Sequence, residues 1–235
     1  MSIAIQVIAF RGLAHLSNEL LASHGVASRY TGPQLQSQYV GMNARSLFLS
    51  LSSMHGFTPS EAELDSLVAR ELELCTASLA AEAEPCEHAN EVLQKMYEEK
   101  KYGMAVVSSS ALPRLRASLQ KTGQDAFFSP EHVYSAASSL PVPTSKPDPA
   151  IYFYACKQLG AHPNACIAIE DSRSGATAAK RAGIHLIGYV GCYDEEIERQ
   201  SVAKMLTEEC GAVEIMSDWR EFRQCIERIE QRPGL

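Results

Sequence analysis

The sequence predicts an α/β protein, a parallel sheet with helices on both faces, preceded by an all-helical region. Three observations carry this. From Pro85 onward, short apolar runs alternate with helical segments, the pattern of a parallel sheet wrapped on both sides. From Arg11 to Glu84 the apolar spacing is helical throughout, with no convincing strand. Glycines at 123, 160 and 183 close successive helical runs, as helix C-termini favour.

The elements follow in order. Ile3–Phe10 is apolar except for Gln6. Leu13, Leu16, Leu20 and Leu21 repeat at helical spacing, and Gly25 stops them. After a turn over Tyr30–Pro33, helices are expected over Leu35–Val40, Ala44–Met54 and Ser60–Ala83. Thr58-Pro59-Ser60-Glu61 opens the last of these, with Pro or Ser at the start and acids in the first turn. Helix Glu87–Lys100 then leads to strand Gly103–Val107, and helix Pro113–Thr122 to an apolar piece at His132–Ala136. Helix Pro149–Leu159 leads to strand Ile167–Ile169, and helix Ala176–Ala182 to strand His185–Val190. Helix Glu195–Glu209 leads to strand Val213–Met216, and helix Asp218–Ile229 closes the chain.

Bulk properties exclude several classes. The 235 residues are 46% hydrophobic, enough for a substantial core. The formal charge is −7, with no basic run, which argues against a nucleic-acid or anionic-membrane partner. The run at Ile3–Phe10 is too short to span a bilayer, and it lacks a basic start and a small-residue cleavage site. Seven cysteines, widely spaced and without a CxxC pair, read as free thiols in a reducing cytosol, so a cytoplasmic location is expected. No Gly-x-Gly-x-x-Gly follows a strand, which leaves little room for a dinucleotide oxidoreductase. Nothing in the sequence sets an oligomeric state.

Ligands of such sheets sit beyond the carboxyl ends of the strands, and three of those ends are polar. Val106-Val107 runs into Ser108-Ser109-Ser110. Hydroxyls and N–H groups where a strand passes into a helix suit an anion, and serines there also serve as plain caps. The loop 140–149 presents Lys146 between braces of proline, which aims a cation that would otherwise be solvated. Ile167–Ile169 runs into Glu170-Asp171. These carboxylates suit Mg²⁺ if the chain bends after the strand; otherwise they decorate a helix N-terminus. Together the three ends fit a phosphate beside a metal.

These residues resemble a known family. Val106–Ser110, Ser145-Lys146-Pro147-Asp148-Pro149-Ala150-Ile151-Tyr152, and Ile169-Glu170-Asp171-Ser172 with Gly175, Ala178-Ala179, Ala182-Gly183 and Gly188-Tyr189 resemble the haloacid dehalogenase superfamily. The narrower likeness is to its cap-bearing phosphatases and β-phosphoglucomutases, among them fungal small-molecule phosphatases. The resemblance implies a Rossmann-like sheet with an inserted helical cap. It assigns residues 11–84 to the cap and the helix leading into it, and 85–235 to the core. Residues 1–10 are a remnant of the first core strand, or else Ala9–Leu21 is already the helix leading into the cap. By resemblance, Ser108 and the Ser109 amide bind phosphate, Lys146 balances charge as the catalytic lysine, and Asp171 with Glu170 holds Mg²⁺. Gly41, Asn43 and Arg45 would face the substrate, a small-molecule phosphate ester such as a sugar or terpenoid phosphate.

One part of that pattern is missing. The family's Asp-x-Asp, nucleophile and acid–base, should follow Val7–Phe10, where the sequence reads Arg11-Gly12-Leu13-Ala14, and no Asp precedes Asp65. Loss of a nucleophile costs on the order of 10⁶ in rate. Two expectations stand: a Mg²⁺-dependent phosphatase whose nucleophile is absent from this chain, or a pseudoenzyme that binds a phosphate ligand or a partner subunit.

Overall fold

A computed structural model describes residues 3–39 and 43–232, with side chains from residue 10 onward. The chain divides into two compact units, Ile3–Ala83 and a second that begins at Glu84.

The first unit is helical: α1 (Ile3–Ser23), α2 (Gly32–Tyr39), α3 (Ala44–Met54) and α4 (Glu61–Glu82). Residues 3–10, one reading of which was a first strand, are the opening turns of α1. A run apolar but for Gln6 has no periodicity to separate strand from helix. Here it continues into a strong helical pattern with only Gly12 between, and an established helix propagates easily. Helix α1 packs against α2, α3 and α4. Leu13, Leu16 and Leu20 meet Leu47, Phe48, Leu51, Leu64 and Leu67 in one core, each large side chain contributing about 1.5–3 kcal/mol on burial. Ser17 of α1 is fully buried. The sequence signal at 58–61 is realised as a cap: the Ser60 side chain accepts the Glu63 N–H at 3.2 Å.

The second unit carries five short strands: β1 (Val106–Ser108), β2 (Val133–Ser135), β3 (Ile167–Glu170), β4 (His185–Tyr189) and β5 (Glu214–Met216). All pairings are parallel, as the βα alternation requires. The ladder is in two parts, β1-β2 and β3-β4-β5. Val107 lies opposite Tyr134, and Ile187 lies between Ile169 and Glu214. Among the described residues β1 and β3 each keep one edge without a strand neighbour.

Helices cover both parts. Helix α5 is Ala89–Glu99, α6 Leu112–Thr122, α7 Ala150–Leu159, α8 Arg173–Ala182, α9 Glu196–Glu208 and α10 Phe222–Glu230. Gly123, Gly160 and Gly183 each end a helix at positive φ, where a side chain would be strained. Helix α7 touches β1, β2 and α8, and α8 touches β3 and β4, so one helical layer serves both sheet parts. Val107 packs onto the cluster that includes Ala168, Ala176 and Leu186. On β3-β4-β5, Ile187, Tyr189 and Met216 pack with Met96 of α5 and with Phe222 and Ile226 of α10. No described helix is long and apolar enough to cross a membrane.

Candidate functional site

Three segments meet at the carboxyl end of β1. Ser108 closes that strand, and its Oγ accepts the Ser110 N–H at 3.1 Å. Ser109 Oγ accepts the backbone N–H of Lys146 at 2.9 Å, across 37 residues. The Lys146 loop is braced by Asp148, whose carboxylate accepts from Ala150 N at 2.8 Å and from the Thr144 hydroxyl at 3.2 Å. Thr144 N donates to Ala136 O at 3.0 Å, just past β2. Proline stiffness accounts for part of the loop's shape, and these hydrogen bonds supply the rest.

The Lys146 ammonium is not aimed into open space. It donates to Val107 O at 2.8 Å, forms an ion pair with Glu170, and lies 3.4 Å from the Tyr152 hydroxyl. Ser108 O accepts from Ala136 N beside β2. Carbonyls alternate sides along a strand, so Val107 O faces the other edge of β1. Lys146 therefore fills a ladder acceptor that no described strand pairs, and it ties that edge to the end of β3. Lysine and carboxylate side chains are 8% and 9% exposed.

Tyr152, on the first turn of α7, donates its hydroxyl to Glu170. Burial raises the Tyr152 phenol well above its ordinary range, and the charge of Glu170 adds to the effect. The hydroxyl stays protonated and remains a donor. The Glu170 carboxylate also lies against the first turn of α8. A Cβ on Gly175 would collide with the Glu170 carboxylate. A carboxylate is favoured at that helix end, and only glycine leaves it room. Ser172 caps the same turn by accepting the Gly175 N–H at 3.2 Å.

Asp171 takes a different direction. Its Oδ2 is 3.8 Å from the Cys192 thiol, and its backbone carbonyl accepts the Tyr193 hydroxyl at 2.8 Å. Burial first, then the nearby Asp171 charge, push the Cys192 thiol up to about 12, so it is no nucleophile near neutrality. The two adjacent carboxylates thus have partners on different elements: Glu170 on α7 and the Lys146 loop, Asp171 on the segment after β4.

This bears on Mg²⁺. The ion takes hard oxygen donors and keeps several waters. Among the described residues no group of three metal-capable side chains is present, and Glu170 is already engaged by a cation and a phenol. The donors present do not make a magnesium site by themselves.

The other expected residues have structural partners. Asn43 caps α3, accepting the Ser46 N–H at 2.8 Å. Arg45 is ion-paired with Glu61 and, at 2.6 Å, with Asp65. Gly41 lies outside the described residues. Arg11 reaches Glu82 at 3.4 Å within the helical unit. Sequence reasoning assigned no role to Tyr152 or Gly175. Their signals are a hydroxyl-bearing aromatic on an apolar helix face and a glycine one turn past the paired acids.

With this geometry in view, comparisons place the chain among known proteins. The family model described as haloacid dehalogenase-like hydrolase matches residues 12–189. A CBBY-like protein of Arabidopsis thaliana is 48% identical over 61 residues, which is 24% of this chain and 18% of that protein. Validoxylamine A 7'-phosphate phosphatase of Streptomyces hygroscopicus subsp. limoneus is 42% identical over 69 residues, 28% of this chain and 32% of that protein. The matches span less than half the length of these curated relatives. A crystal structure of CbbY from Rhodobacter sphaeroides, in complex with xylulose-1,5-bisphosphate, superposes with a TM-score of 0.66 at 20% identity. It covers 89% of this chain and 88% of that one.

Proposed function

The chain belongs to the haloacid dehalogenase-like hydrolase family, and on that premise we propose that it is a phosphatase-like protein binding a small-molecule phosphate ester at the Ser108–Ser109 strand end, beside Lys146. The observation that carries this is the Ser109–Lys146 hydrogen bond, which brings serine run and lysine to one place. The Ser108 hydroxyl and the N–H groups where β1 passes into α6 are the donors, with the positive charge of Lys146 nearby. Two similar proteins support the ligand class: one is named a phosphate phosphatase and another holds a sugar bisphosphate. Sugar and terpenoid phosphates are the classes to try. The helical unit Ile3–Ala83 is proposed as the cap that selects among them.

Turnover is proposed to be slow for this chain. Hydrolysis through an aspartyl phosphate needs a carboxylate free to attack phosphorus. No Asp precedes Asp65, and Glu170 is held by Lys146 and Tyr152. Mg²⁺ is the ion expected from the resemblance. The second reading, a pseudoenzyme that binds phosphate esters without hydrolysing them, is favoured by the same missing nucleophile.

The test is phosphate release from a panel of sugar and terpenoid phosphates, with and without Mg²⁺, alongside calorimetric binding. Binding without release above a Lys146→Ala control is the expected result. Release at an ordinary enzymatic rate, about 1–10³ per second, would overturn slow turnover. No binding of any ester would overturn the site.

A further inference from the structure

Behind the strand-end site, the described residues bring two thiols together. Cys156 lies on α7, and Cys166 immediately precedes β3. Their sulfurs are 3.9 Å apart. Cys156 is buried and Cys166 half-buried, with the Cys166 sulfur 3.4 Å from His162 O.

Their positions repeat those of the site. Tyr152 and Cys156 are four residues apart on α7 and share one helix face. Cys166, Ala168 and Glu170 alternate along one strand and share its side. Tyr152–Glu170 and Cys156–Cys166 are therefore two rungs of one α7–β3 contact. Ala168 belongs to the same packed cluster as Tyr152 and Cys156. The front rung holds the carboxylate that pairs with Lys146; the rear rung is a pair of thiols.

We propose that Cys156 and Cys166 are an oxidative modification site that forms a reversible intramolecular disulfide, fastening α7 to the start of β3. Hydrogen peroxide is the oxidant class. The thiolate of half-exposed Cys166 attacks one peroxide oxygen, the O–O bond breaks, and a sulfenic acid and water form. The Cys156 sulfur then attacks the Cys166 sulfur, and the hydroxyl leaves as a second water. Two thiols lose two electrons and two protons, and the peroxide takes them. Burial, and next the neighbouring Cys166, raise the Cys156 thiol to about 11, which leaves first attack to the more accessible Cys166. Closing 3.9 Å to a bond of about 2.0 Å needs about 1 Å of movement from each sulfur. This inference does not depend on what the site binds.

The experiment uses the full chain treated with hydrogen peroxide, then denatured and alkylated. Trypsin cuts after Lys157, between the two cysteines, so peptides 122–157 and 158–173 each hold one of them. The expected product is these two peptides joined, lighter by two hydrogens, and separated again by dithiothreitol. The thermal midpoint of the oxidised wild type rises, and that of Cys166→Ser does not. Cys166 found as a sulfinic acid while Cys156 still alkylates, or either cysteine linked to a third, overturns the proposal. Peptide mapping of the wild type decides this even if the variant fails to fold.

Discussion

Replacing Lys146 with Met should destabilise the core unit by about 3–5 kcal/mol, the range for removing one partner of a buried ion pair. The stem length is kept, so the change isolates the ammonium. Glu170, 9% exposed at its side chain, would be left with Tyr152 and the α8 terminus. Val107 O would lose its donor, worth about 1 kcal/mol. Glu170→Gln should also be costly, because it leaves the ammonium buried. The double variant should lose less than the two singles together, with a coupling of at least about 2 kcal/mol. Urea unfolding followed by the single tryptophan reads this directly. Trp219 lies against Tyr189 and Phe222 in the same unit. Single costs below about 1 kcal/mol with additive behaviour, the signature of a solvent-screened pair, would refute the buried knot.

Gly175→Ala should destabilise by about 2 kcal/mol or more, although alanine alone favours a helix by about 1 kcal/mol, because the new methyl group displaces the Glu170 carboxylate; urea midpoints check this. Tyr152→Phe keeps the packing and removes one donor to Glu170, costing about 1–3 kcal/mol in the same assay. Asp218 is held below the usual carboxylate range by its hydrogen bonds to Arg220, as Glu209 is by Arg173 and Glu230 by Tyr102 and Lys101. These folded-state pKa values are depressed, so the stabilisation is complete above the unfolded values near 4 and is lost as pH falls through the folded ones. Melting points measured down an acid series should fall below about pH 4, and fall less in about 1 M salt, where screening is strong.

Most of the core was legible because its signals are local. The apolar runs at 167–169, 185–190 and 213–216 are the strands β3, β4 and β5 within a residue or so. The three glycine stops end α6, α7 and α8. The segment at Ile3–Phe10 was ambiguous because its apolar run lacks a period, and continuity with the helix after it decided the outcome. The expected sheet is in two parts, β1-β2 and β3-β4-β5, and among the described residues no strand joins them. The site was half legible. Strand ends show which residues reach the carboxyl edge but not which pair there. Lys146 meeting Glu170 spans 24 residues, and the turn of Asp171 toward Cys192 and Tyr193 depends on packing after β4. Asn43 and Arg45, expected at a substrate, are absorbed by a helix cap and by ion pairs with Asp65 and Glu61.

Calorimetric titration of the wild type and of Ser108→Ala with inorganic phosphate tests the phosphate site most directly. One saturable binding event is expected in the wild type. In the variant it should weaken at least about tenfold, since a hydrogen bond to a charged group contributes about 1.5–3 kcal/mol. Equal affinity in the two proteins, or no heat in either, would contradict an anion held at the tip of β1.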